Sequence, residues 1–145
     1  MSAAESEAAL LLDTNAIIRL ANGEPLDQKA VLAIDRAKAA GALHISPVSA
    51  WEIGLLSRPE RVSPLQFAPD PKTWFSRFVT QPGVREAPFT ADIAIESSHL
   101  PGAPPKDPAD RLLIATARHL NLVLVTRDRE IIAYARAGYI RAIRC

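Results

Sequence analysis

The chain has 145 residues, 48% hydrophobic, 23% charged and 6% aromatic, with 16 acidic and 17 basic side chains for a formal charge of +1. That length suits one domain over residues 1–145 with its own core and is too short for two ordinary ones. The single cysteine, Cys145, excludes an intrachain disulfide and a cysteine-based zinc site; no apolar run nears the ~20 residues of a membrane span, and the acidic start with Glu5 and Glu7 is unlike a signal peptide, so a soluble, cytoplasmic protein is expected.

Short apolar runs alternate with amphipathic stretches, the order of an α/β domain with a mostly parallel sheet flanked by helices. A buried strand is expected over Ala8 to Leu12, then helices over Asn15 to Ala21 and Asp27 to Ala40, the second ended by Gly41. A strand over Leu43 to Ser46 leads into a helix over Pro47 to Ser57, and Asp70-Pro71 opens another to Gln81. Val84 to Phe89 is expected as an edge strand, and Thr90 caps a helix over Ala91 to Leu100. Asp107-Pro108 starts a helix that reaches Leu120. The run Leu122 to Thr126 has the unbroken apolar character of a strand covered on both faces. A helix over Asp128 to Ala137, stopped by Gly138, and an edge strand over Tyr139 to Ile143 complete the order.

In such a sheet the carboxyl ends of the strands form the binding edge. Asp13 follows the first strand, Asp128 lies just past the strand ending at Thr126, Glu52 sits about a turn and a half into the helix from Pro47, and Asp110 lies in the first turn after Asp107-Pro108. Four carboxylates from distant parts of the chain are thus expected to converge. Gathered carboxylates repel, and a hard divalent cation such as Mg²⁺ or Mn²⁺ resolves this with oxygen ligands while activating water for phosphodiester hydrolysis. Plainer readings exist too: Asp13, Asp107 and Asp128 are placed to cap the helices they precede, whereas Glu52, among apolar neighbours, is expected to be either exposed or specifically paired. His44, His99 and His119 share no metal-ligand spacing, and no glycine-rich phosphate loop occurs.

The charge is uneven. Residues 1–110 carry 14 acids against 10 bases, whereas residues 111–145 carry 2 against 7. All seven are arginines, a side chain suited to phosphate, although a solvated helix face has the same composition.

The segments LLLDTNAII (Leu10 to Ile18), SPVSAWEIGLL (Ser46 to Leu56), KDPADRLLIATA (Lys106 to Ala117) and LVTRDREI (Leu124 to Ile131) together closely resemble the PIN-domain family, specifically its VapC-type toxins. The resemblance implies a Rossmann-like PIN fold and a Mg²⁺- or Mn²⁺-dependent endoribonuclease, usually homodimeric and inhibited by an antitoxin protein. Carried over by position, Asp13, Glu52, Asp110 and Asp128 match the catalytic, metal-holding acids. Asn15 and Thr126 match their polar supports, and Asp107 is placed to share the role of Asp110. Arg111, Arg118, Arg127 and Arg129 would then hold the RNA backbone. Trp51, Leu55, Leu56, Trp74, Phe75 and Phe78 either fill the core or offer an apolar groove to the antitoxin or a second subunit. Two rival functions use the same acids: a receiver-like, Mg²⁺-binding phosphoryl-transfer module, and an aspartate-nucleophile phosphatase. The second would want an acid where Asn15 stands, and the first a lysine after the last strand.

Overall fold

In the computed structural model, which describes residues 8–145, five parallel strands form one sheet in the order β3-β2-β1-β4-β5. The chain runs through β1 (Leu10–Leu12), α1 (Thr14–Ala21), α2 (Gln28–Ala39), β2 (Leu43–Ile45), α3 (Pro47–Leu56), α4 (Pro71–Val79), β3 (Val84–Glu86), α5 (Ala91–Glu96), α6 (Pro108–Leu120), β4 (Val123–Thr126), α7 (Arg129–Arg136) and β5 (Arg141–Arg144). The acidic start with Glu5 and Glu7 lies outside the described residues. Among the described residues, no helix is long and apolar enough to cross a membrane.

The strand alternation explains why the sheet sequences are apolar without a break. Leu10, Leu12, Val123 and Val125 pack with Ala16, Ile17, Ala30, Ile34 and Phe78 on one side of the sheet. Leu11 and Leu124 pack with Val48, Leu113, Ile114, Ile131 and Tyr134 on the other. Helices on both faces leave β1 wholly apolar and β4 apolar up to its last residue, Thr126, at the carboxyl end.

Several ends differ from expectation for local reasons. The helix expected to Leu100 stops at Glu96, where the Ser97 hydroxyl donates back to the Ala94 carbonyl at 2.6 Å. In the same way Thr80 bonds the Ser76 carbonyl at 2.8 Å, and α4 ends at Val79 instead of Gln81. The last strand begins at Arg141, two residues later than expected. Gly138, at φ 95°, turns the chain, and Tyr139 stacks on Tyr134 with ring centroids 4.9 Å apart. As expected, β3 and β5 are the edges.

The site is positioned by the order itself. Strand order reverses between β1 and β4, the crevice where ligands bind in open α/β sheets. The register Leu12↔Val125 brings the carboxyl ends of these two strands level, so Asp13 emerges beside Thr126.

Candidate active site

Beyond the carboxyl ends of β1 and β4 lies a cleft of about 240 Å³, lined by Asp13, Thr14, Asn15, Glu52, Asp110, Leu113, Arg127 and Asp128. The fold therefore brings all four expected acids to one place, from the starts of α1, α6 and α7 and the middle of α3.

The capping reading and the site reading of Asp13 and Asp128 hold together. Asp13 Oδ1 accepts the Ala16 N–H at 2.7 Å, capping α1, while the Thr126 hydroxyl donates to Oδ2. Asp128 Oδ1 accepts the N–H groups of Glu130 and Ile131 at 2.9 and 3.0 Å, capping α7. Asp107 is the N-cap of α6 through Asp110 N at 3.0 Å and sits outside the cleft lining. Helix N-termini beneath three acids place partial positive charge under a negative cluster.

Thr126 is buried, and its hydroxyl oxygen also accepts the Asp128 N–H at 3.0 Å, so one side chain fixes both acids at the switch point. Asn15 is exposed at the cleft, and the bonds holding Asp13 come from Ala16 and Thr126. Sequence reasoning passed over Thr14 and Ser49. The Thr14 hydroxyl donates to Glu52 Oε1 and lies 2.9 Å from the Ser49 hydroxyl oxygen. Ser49 and Glu52, three residues apart on α3, share the helix side facing α1, and that spacing was the available signal.

The electrostatics follow from burial and mutual repulsion. Burial pushes the Asp13 carboxyl up, against the Thr126 and Ala16 bonds, and Asp128 adds to the rise. Burial likewise raises Glu52, with Asp107 and Asp13 contributing and the Thr14 bond opposing. Asp110 is pushed up to about 7 by burial and then by Asp128, Asp107, Glu52 and Asp13. Asp107 thus contributes to the field of the cleft from beyond its lining.

The donor set is all oxygen and strongly anionic, the chemistry that suits Mg²⁺ or Mn²⁺ rather than a soft metal. Among the described residues no three acidic, imidazole or thiol groups form a ready-made cage. An open ring of carboxylates fits an ion that keeps several of its waters, as Mg²⁺ does.

Two of the expected RNA-binding arginines are engaged elsewhere. Arg111 donates from Nε to the Ser97 carbonyl at 2.9 Å and from Nη1 to the Pro105 carbonyl at 3.3 Å, tying down the loop that leads into α6. Arg118 donates to the Tyr139 carbonyl. Arg127 lines the cleft and reaches the Cys145 carbonyl at 3.3 Å, and Arg129 is exposed at the start of α7. Of the apolar candidates for a docking groove, Phe78 is buried and Trp74, Phe75, Leu55 and Leu56 are partly covered. Trp51 is 50% exposed. His44 is held in β2, its Nδ1 3.2 Å from the carbonyls of Leu10 and Ala42.

Residues 10–137 match the family described as PIN domain. Ribonuclease VapC22 of Mycobacterium tuberculosis (strain ATCC 25618 / H37Rv) is 34% identical over 92 residues, which cover 63% of this chain and 67% of that protein. Among solved structures, a chain of the DNA-bound VapBC from Salmonella typhimurium superimposes with a TM-score of 0.58 at 20% identity, covering 94% of this chain and 98% of that one. A chain of VapBC2 from Rickettsia felis, bound to a DNA fragment from its promoter, gives 0.58 at 14% identity over 93% and 97%. At those identities the two structures speak for the fold.

Proposed function

The chain belongs to the PIN-domain family, and from that premise we propose that it is a divalent-metal-dependent endoribonuclease, the toxin of a toxin-antitoxin pair. The observation that carries this reading is the convergence of Asp13, Glu52, Asp110 and Asp128 on one cleft at the strand-order switch point. The likeness to a ribonuclease VapC supports the activity, and the likeness to VapBC chains supports an antitoxin partner. Residues 1–145 are read as one PIN domain that pairs as a homodimer.

Asp13, Asp110 and Asp128 would hold the ion, Mg²⁺ or Mn²⁺, with Glu52 completing the set or taking the proton from the attacking water. When bound, the cation neutralises charge on the phosphoryl group and lowers the pKa of water. The protein's part is positioning. Thr126 locks Asp13 to the start of α7, and Thr14 holds Glu52 toward the cleft. Arg127 and Arg129, at the rim, would steady the phosphates flanking the scissile bond.

The test incubates the purified chain with labelled RNA and, separately, with acetyl phosphate, in Mg²⁺, Mn²⁺ or EDTA. RNA cutting that needs the divalent ion and vanishes in Asp13→Asn is expected. Metal-independent cutting, or phosphoryl transfer from acetyl phosphate without RNA cutting, would overturn the reading.

A further inference from the structure

The open edge of the sheet carries a second charged surface. Beside β5 runs a groove of about 400 Å³ whose charged lining is Lys29, Arg136, Arg141 and Arg144, with no carboxylate among its lining residues. All four are exposed. Arg141 is tied to Asn121, at 3.0 Å to its side-chain oxygen and 3.2 Å to its carbonyl. Among the described residues no hydrogen bond or ion pair engages the side chains of Lys29, Arg136 or Arg144. Cations gathered in a groove whose lining holds no carboxylate suit a polyanion.

The Arg144 end of the groove lies one strand away from the acidic cleft. Arg144 stands beside Thr126 in the ladder, where neighbouring strands lie about 4.8 Å apart. Cys145 N–H bonds the Thr126 carbonyl at 3.0 Å, and the Cys145 carbonyl accepts from Arg127, itself part of the cleft wall. It also accepts the Asp27 N–H at 3.3 Å, which seats the first turn of α2, and with it Lys29, at the same end. From Arg144 back to Arg141 the strand covers about 10 Å. On α7 the helical period puts Arg129 and Arg136 along one side, two turns apart, and Glu130 on the side away from the groove.

We propose that the β5 edge is the track on which an RNA strand leaves the acidic cleft, with Lys29, Arg136 and Arg144 holding successive phosphates and Arg141 closing the far end. This rests on the ribonuclease reading and assigns that substrate a path. An acidic peptide pairing with the open strand is the competing occupant. Continuity with the cleft favours RNA, because the track begins where the scissile phosphate is held. Arginine forks match phosphate, and contacts of this kind position a strand without reading its bases.

The experiment measures binding and cutting separately. Anisotropy of a labelled mixed-sequence RNA of roughly 16 nucleotides is followed in EDTA across a KCl series, for the wild-type chain and for K29A/R136A/R144A. The triple variant is expected to bind at least ~10-fold more weakly and to lose about 2 from the slope of log K against log salt, as three lost phosphate contacts require. An RNA of roughly four nucleotides, too short to leave the cleft, should lose less than ~2-fold. Should the triple variant fold poorly, Arg136→Glu alone, at an exposed position, must weaken the long RNA selectively. Unchanged affinity and slope for the long RNA would overturn the track. So would a loss seen only with poly-glutamate, which makes the groove a peptide site. Selective loss of long-RNA binding together with no cutting by the wild-type chain in Mg²⁺ or Mn²⁺ sustains the track and removes the ribonuclease reading instead.

Discussion

Replacing Asp110 by Asn should stabilise the metal-free protein, and the gain should grow with pH. Asp110 is half-buried, and burial first and the neighbouring acids second raise its carboxyl from 3.8 to about 7. A raised carboxyl pKa means that the folded state holds its proton more tightly than the unfolded state. That contribution to stability is fully present below about pH 4, declines as pH rises and is gone above about 7, where the folded cleft carries an unfavourable charge. Roughly three units at ~1.4 kcal/mol each set a ceiling of ~4 kcal/mol. Partial exposure screens much of this, and the lost helix-start charge offsets a few tenths more, leaving ~1–2 kcal/mol. For a chain of this size that is about 3–6 °C in melting temperature. Thermal melts in EDTA at pH 4.5, 7 and 8.5 provide the assay, with Asp110→Asn closest to wild type at the lowest pH and most stabilised at the highest. Mg²⁺ at about 100 times its Kd should then raise the wild type by ~2.7 kcal/mol and the variant by much less, closing or reversing the gap. A variant no more stable than wild type at pH 8.5, or a difference independent of pH, refutes the electrostatic account of the cleft.

Asp13→Asn and Asp13→Ala should both abolish cleavage, but Asn keeps an acceptor for the Ala16 N–H whereas Ala costs about 1 kcal/mol in urea unfolding through the lost cap. Thr126→Val removes the hydroxyl shared by Asp13 and Asp128 and should lower kcat about 10–100-fold, with Thr126→Ser restoring most of it. Thr14→Val removes a bond that lowers the Glu52 carboxyl pKa, so the acid limb of the pH–rate profile should move to higher pH. Arg111→Ala should lower stability by ~1–2 kcal/mol while leaving the salt dependence of RNA binding unchanged, which separates a loop tie from a phosphate contact.

The features that were legible in the sequence are those fixed by neighbours along the chain. Continuous apolar runs named β1 and β4, and Ser46-Pro47, Asp70-Pro71 and Asp107-Pro108 named three helix starts to the residue. Because Asp13 and Asp128 sit at strand ends, placing the strands placed these acids too. What stayed hidden is set across the fold. Arg111 is drawn away from solvent by carbonyls 14 and 6 residues before it, Thr14 meets Ser49 across 35 residues, and Tyr139 is taken out of β5 by stacking on Tyr134. Gly102 belongs with these, since at φ 70° it lies so close to the Tyr139 ring that a Cβ there would approach it to 2.4 Å. Apart from the three-residue spacing of Ser49 and Glu52, these contacts leave no period or cap in the sequence.

The bond from Thr126 to Asp13 spans 113 residues, and β1 has β2 on one side and β4 on the other. A chain emerging from the ribosome can form β1, α1 and α2 early, yet nothing stands beside β1 on the β4 side until Thr126 has been made. The cleft therefore cannot exist before β4 and Asp128 have been made. Truncated or stalled products that lack β4 have no switch point and no Thr126 hydroxyl for Asp13, so the fold ties the appearance of a hazardous activity to the synthesis of β4.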